Sequence, residues 1–205
     1  MNDIREVSGS TSGVALYDNW ITLEEVNHMI WAFEYDGSAV LWGNVKQGDK
    51  HFPRKLTMWL DDLSAKSTSY LFHIGDRINE EVKPLTNSPH LFSTDMYIDA
   101  VIDCALSSQP SSWWETHNSI LFLNDNYEGG EIVFNDLGIE VTPRMGSLLV
   151  YPGSYSIETR PIHGTAYRML SKHTDQPEFR QSDESFTKRP FMFQNEKPQK
   201  KKKKG

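Results

Sequence analysis

The stretch ILFLNDNYEGGEIVF, residues 120–134, reads as a strand, a polar turn at Gly129–Gly130, and a second strand. A tight turn between strands favours glycine because positive φ costs it nothing. Apolar residues alternate in the neighbouring SILFLN (119–124) and IEVTP (139–143), as half-buried strands require. The same texture runs from about residue 91 to 170. LFSTDMYIDAVID, NSILFLN, GEIVFN, GIEVTP, GSLLVYP, YSIETRPI and TAYRMLSKH are short, β-prone and separated by turn residues, with SSQPSSWW (107–114) as a loop. Strands at roughly 8–12-residue spacing indicate a sandwich or barrel. Pro143 and Gly146 mark a turn, and Pro152 stops the buried strand that follows it.

Upstream the period changes. Thr22 with Glu25 three residues on forms a capping box, and Ile21 and Val26 stand where a hydrophobic staple would. The spacing predicts a helix near 22–34 with Leu23, Val26, Ile30 and Phe33 on its buried face. A second helix is predicted in SYLFHIGDRINEEV, with Leu71, Ile74, Ile78 and Val82 on one face and KPLTNSP ending it. Residues 36–55 are Gly-rich and loop-like around a strand candidate, SAVLWGNV, whereas KLTMWLDDL (55–63) shows no decisive period. The fold expected is α+β: N-terminal helices packed on a double-stranded β-helix, or jelly-roll-like, core. Residues 1–13 read as a flexible arm and 14–175 as a single domain with its β-core at about 91–170. Residues 176–205 read as a C-terminal extension with a Lys-rich tail, in which RPFMFQ (189–194) is an apolar patch able to dock back on the body.

Composition narrows the function classes. The 205 residues are 38% hydrophobic and 12% aromatic with six Trp, enough for a sizeable core. No apolar run approaches the ~18–20 residues of a membrane span, and MNDIREVSGSTSG lacks the apolar middle of a signal peptide. One cysteine, Cys104, excludes an internal disulfide and a cysteine zinc site, and reads as a small core residue. A reducing cytoplasm is the expected place of synthesis. The net charge is −7; residues 195–205 carry +5 (six Lys, one Glu), so the remainder carries −12. An acidic body disfavours broad nucleic-acid binding by the domain. Lys200, Lys201, Lys202, Lys203 and Lys204 offer a contact for nucleic acid or an anionic partner, a solvated tail being the plainer reading. No phosphate-binding loop is present, and DCALSSQ (103–109) carries no nucleophile motif.

ILFLNDNYEGGEIVF, followed by IEVTPRMGSLLVYP and RPIHGTAYR, resembles the prolyl-4-hydroxylase-like branch of the 2-oxoglutarate- and Fe(II)-dependent dioxygenases, above all the compact versions carried by bacteriophages. YDNWITLEEVNHMIWAF is similar to the opening strand and helix of such proteins. The resemblance implies a His-x-Asp pair and a distal His that hold Fe(II) with open positions for co-substrate and O2. Matched residue by residue, MYIDA puts Tyr97 at the His and keeps Asp99. Counts from Pro152 and back from Pro161 both put Ile157 at the distal His. The cation that pairs with the 2-oxoglutarate carboxylate falls on Ala166. Arg168, two residues on and on the same side of a strand, reads as a rim or surface arginine rather than a shifted anchor.

On this matching two of three metal ligands and the anchor are replaced. Asp99 beside Ile157 would be an isolated carboxylate, favouring its neutral form or a hydrogen bond to Tyr97. His163 would need a six-residue slip to serve as the distal ligand. His117 would reach Asp99 only through a particular fold of loop 103–115, and ordinary surface or hydrogen-bonded roles are the simpler reading of all seven histidines. The expectation is a catalytically inactive dioxygenase-fold protein without cofactor, used as a structural or interaction module with protein partners such as other virion subunits. The alternative is an active Fe(II)/2-oxoglutarate oxygenase with an atypical metal site, Asp99 being the one ligand retained.

Overall fold

Side-chain alternation along the central strands sets the layers of this molecule. The computed structural model describes residues 4–6, 13–36, 41–42, 54–59, 63–86, 88–108 and 110–179. In chain order the elements are β1 (Ile4–Glu6), β2 (Ala15–Tyr17), α1 (Leu23–Trp31), β3 (Leu41–Trp42), β4 (Arg54–Trp59), α2 (Ala65–Val82) and β5 (Phe92–Ile102). There follow β6 (Leu106–Ser108), β7 (His117–Phe122), β8 (Glu128–Gly129), β9 (Ile132–Phe134), β10 (Ile139–Val141), β11 (Leu148–Pro152), β12 (Ile157–Thr159), β13 (Ile162–His163) and β14 (Thr165–Thr174). One sheet runs β1-β2-β11-β7-β14-β5-β4-β3, a second runs β10-β9-β12-β6, and β13 pairs with β8. The pairings are antiparallel.

The larger sheet is covered on both faces. Met96, Ile98 and Ala100 of β5, Leu121 of β7, Leu148 and Val150 of β11 and Met169 of β14 pack with Val26, Met29 and the apolar face of α2. The intervening residues point the other way. Ile120, Phe122, Leu149 and Tyr151 pack with Ile132, Phe134, Ile139, Val141 and Ile157 of the smaller sheet, closing the jelly roll. The expected α+β architecture with helices outside the β-core is therefore present. β10 is half-buried as its alternation predicts, but every residue of β7 is buried. As a central strand β7 has helices on one side and the second sheet on the other, so it is not half-exposed.

The capping box at Thr22 forms, with the Glu25 amide donating to the Thr22 hydroxyl and the Thr22 amide to the Glu25 carboxylate. The buried face of α1 differs by one residue from expectation: Leu23 is 59% exposed and Met29 is fully buried. Leu23 stands in the first turn, where the chain enters from outside, and Met29 takes its place three residues after Val26. KLTMWLDDL contributes β4, paired with β5. The Gly-Gly turn carries the chain from one sheet to the other rather than closing a simple hairpin. Gly129 has φ +76°, and a Cβ there would lie 1.9 Å from the Pro161 carbonyl oxygen. RPFMFQ and the lysine run lie outside the described residues.

A buried polar network pins α2 to the sheet. Asn79 of α2 accepts from His173 Nδ1 (2.8 Å), which leaves Nε2 to accept from the Ser119 hydroxyl (2.9 Å). Burial, with the nearby His117 second, pushes the His173 pKa down to about 3. An unfolded chain protonates this imidazole near 6.5 and the folded one does not until about 3, so its stability contribution is complete above 6.5 and lost progressively as pH falls toward 3. Urea denaturation of wild type and His173→Gln is expected to diverge in slope across that window and run parallel above pH 7. Identical slopes throughout would show that His173 does not control acid stability.

Candidate functional site

The sequence-matched positions lie on strands of the jelly roll, and strand register decides which of them meet. On β5, Tyr97 and Asp99 face inward; on β14, Ala166, Arg168 and Leu170 do so. The register sets Arg168 opposite Asp99, Leu170 opposite Tyr97, and Ala166 opposite Val101. Arg168 Nε donates to Asp99 Oδ1 at 3.0 Å and Nη2 donates to Oδ2 at 2.9 Å, a two-pronged pair between side chains 4% and 0% exposed. Arg168 is thus no rim arginine. Asp99 is no isolated carboxylate either: its charge is matched across one rung of the sheet. Burial alone would lower the Arg168 pKa, but the Asp99 charge and hydrogen bonds outweigh it and hold the guanidinium above its ordinary value.

Three phenols surround the pair electrostatically. Burial first, then the Asp99 charge, raises Tyr97; burial also raises Tyr151, and it pushes Tyr127 up to about 12, Arg168 opposing in each. All three are neutral hydroxyls near pH 7. Tyr97 packs its ring on Trp59 at 4.7 Å. Ala166 is fully buried in a small apolar cluster with Val101, Cys104 and Ile162, against which Tyr127 packs. Cys104 is a small core residue, as read from the sequence.

Ile157 lies on the facing wall. Its strand pairs with β6, and its register partner is Ser108. Two residues beyond Ser108, Pro110 lines the same small cavity as Ser108, Tyr97, Tyr151, Asn118 and Lys172, with a volume of about 170 Å³. Lys172, at its edge, is already paired, its Nζ lying 3.1 Å from Glu115 Oε1 and 4.0 Å from Asp95 Oδ2. The two other candidate histidines lie elsewhere. His117 shares with Ser119 the opposite face of β7 from Asn118, beside His173. His163 is exposed on β13, opposite Glu128.

Searches against protein-family models and curated proteins find no match. Solved structures do match. A 2OG-Fe(II) oxygenase family oxidoreductase from Burkholderia pseudomallei superposes with a TM-score of 0.63 at 14% identity, covering 80% of this chain and 86% of that one. A viral collagen prolyl hydroxylase from Paramecium Bursaria Chlorella virus-1, in complex with 2OG, gives 0.61 at 10% identity, over 80% and 96%. HygX from Streptomyces hygroscopicus, with nickel, 2-oxoglutarate and hygromycin B bound, gives 0.58 at 14%, over 80% and 83%.

The chain has the 2-oxoglutarate/Fe(II) oxygenase fold.

The residues that line the barrel of this oxygenase fold do not suit its metal. Fe(II) in such sites takes imidazole nitrogens and a carboxylate. Here the barrel offers phenols, an alkyl side chain and one carboxylate already gripped at both oxygens, with the exposed Ser108 at the cavity wall. Among the described residues, no group of three or more His, Cys, Asp or Glu side chains converges. The sequence reading missed Ser108, Pro110 and Tyr127. Ser108 has no chemical signal of its own, and its importance comes from being the rung opposite Ile157. Arg168 did carry a signal, because residues 166 and 168 share a face.

Removing one member of a buried pair strands the other charge, at a cost of about 3–5 kcal/mol. Arg168→Ala is expected to destabilise the fold by that order in urea titration, whereas Asp99→Leu with Arg168→Leu should recover most of the loss. A single-variant cost below about 1 kcal/mol, the level of an exposed pair, would refute a structural role.

Proposed function

We propose that this oxygenase-fold chain performs no metal chemistry and serves as a structural or interaction module. The observation that carries this reading is the Asp99–Arg168 pair. Arg168 reaches the interior face where the fold's relatives by resemblance anchor the co-substrate carboxylate, and Asp99 occupies its guanidinium as an internal carboxylate. The same pair denies Asp99 to a metal, since these two buried charges neutralise each other.

The reading does not depend on one assignment of the triad. If the metal positions are Tyr97, Asp99 and Ile157, they offer a phenol, a paired carboxylate and an alkyl group. The register of β12 against β6 supports a second assignment, Ser108, Pro110 and Ile157, in which Ser108-x-Pro110 has the spacing of His-x-Asp. Neither set can hold Fe(II). The cavity supports the same conclusion. At about 170 Å³ it falls below the ~300–1,000 Å³ of small-molecule sites and has room for roughly five waters.

We place this module in a virus particle, on the resemblance to compact phage proteins, with other protein subunits as its partners. Lys200–Lys204 are the contact proposed for an acidic partner or nucleic acid.

Protein incubated anaerobically with Fe(II) or Co(II) and then desalted is expected to carry no stoichiometric metal and to consume no 2-oxoglutarate. Tight binding of one metal ion with 2-oxoglutarate turnover would replace this reading with that of an active oxygenase. Reconstruction separates the two assignments. Ser108→His, Pro110→Asp and Ile157→His together are expected to bring back the visible absorption of bound Co(II). Tyr97→His with Ile157→His should not, because Arg168 still holds Asp99. The reverse result would assign the metal positions to β5.

A further inference from the structure

Large aromatic side chains are normally buried, and a rigidly held Trp exposed to solvent marks a contact surface. Trp113 is 78% exposed. It is nevertheless held in place from below. Its ring meets Trp114 edge-on at 5.5 Å and Phe179 edge-on at 6.1 Å, and Trp114 stacks on Phe179 at 4.8 Å with an interplanar angle of 17°. The backbone beneath is tied too: the Thr174 hydroxyl donates to the Trp114 carbonyl at 2.6 Å, and the Gln176 amide donates to Thr174 Oγ1 at 3.1 Å. Three rings from two distant parts of the chain thus build one platform, and two residues before Trp113 the same loop lines the barrel cavity through Ser111.

The described structure ends on this platform, at Phe179. The chain continues through a polar stretch and then reads Lys188-Arg189-Pro190-Phe191-Met192-Phe193. Phe191 lies twelve positions beyond Phe179, a reach of up to roughly 40 Å, so the segment can return to its own point of departure. Such a tether sets an effective concentration on the order of millimolar, which favours a contact within the chain over one between chains. Charge agrees. Asp175 and Glu178 are exposed on the platform's own strand end, and Lys188 and Arg189 lead directly into the apolar triplet. A guanidinium over an indole face is itself a favourable contact.

We infer that Arg189–Phe193 of the same chain docks on the Trp113–Trp114–Phe179 platform, covering Trp113 beside the mouth of the barrel. Pro190 limits the conformations lost on docking, and Phe191 and Phe193 supply the apolar area.

Hydroxyl-radical footprinting of the full chain, mapped by peptide mass spectrometry, tests this from both sides. Trp113 is expected to react severalfold more slowly in wild type than in full-length Phe191→Ala/Phe193→Ala. Reciprocally, Trp113→Ala should speed the peroxide oxidation of Met192 severalfold, a readout that does not depend on Trp chemistry. Trp113 is a surface residue, so its variant keeps the fold, and circular dichroism verifies that. Equal Trp113 reactivity in wild type and the double Phe variant overturns the proposal. So does protection of Trp113 that grows with protein concentration, since the occupant would then be a second copy.

Discussion

The Asp99–Arg168 pair is the interaction on which the interior of this protein turns. Two charges at 0% and 4% exposure are tolerable only because each oxygen of the carboxylate receives a guanidinium proton along a fixed rung between β5 and β14. The pair also bears on register. β5 and β14 turn Met96, Ile98, Ala100 and Met169 toward the helices, while their other face carries Tyr97, Asp99, Ala166 and Arg168. A one-residue slip would exchange those faces and carry the apolar set away from the helices. Slipping Arg168 away from Asp99 would bury two unmatched charges. The pair thus reinforces the register that the apolar face already favours.

Much of the fold was legible because it rests on local rules. The capping box at Thr22, the face of α2 at Leu71, Ile74, Ile78 and Val82, and the glycines at 129 and 130 each follow from a few adjacent residues. What was not legible depends on partners remote in sequence. KLTMWLDDL yields β4 because β5 offers it an open edge. SILFLN looks half-buried in isolation, and only the second sheet makes it wholly interior.

The site shows the same division. The match of Ile157 to an imidazole position, proposed from the resemblance, can be counted from spacing, since Pro152 and Pro161 anchor the count. Which residue stands opposite Ile157 cannot. That is Ser108, set by pairing between β12 and β6 across about fifty intervening residues. The pairing of Asp99 with Arg168 likewise joins residues 69 apart. Parity placed Arg168 on the same face as Ala166, but parity does not say whether that face looks into the barrel or out at its rim.

The interior of the barrel has to fill its space and satisfy its own buried charge. Here the match is internal. A guanidinium supplies the positive charge beside the carboxylate, a carboxylate supplies the negative charge beside the guanidinium, and three neutral phenols fill the polar margin without adding charge. Such a core satisfies its charges without calling on solvent. The outer surface differs, for there an exposed tryptophan rests on two other rings close to Phe179, where the described structure ends.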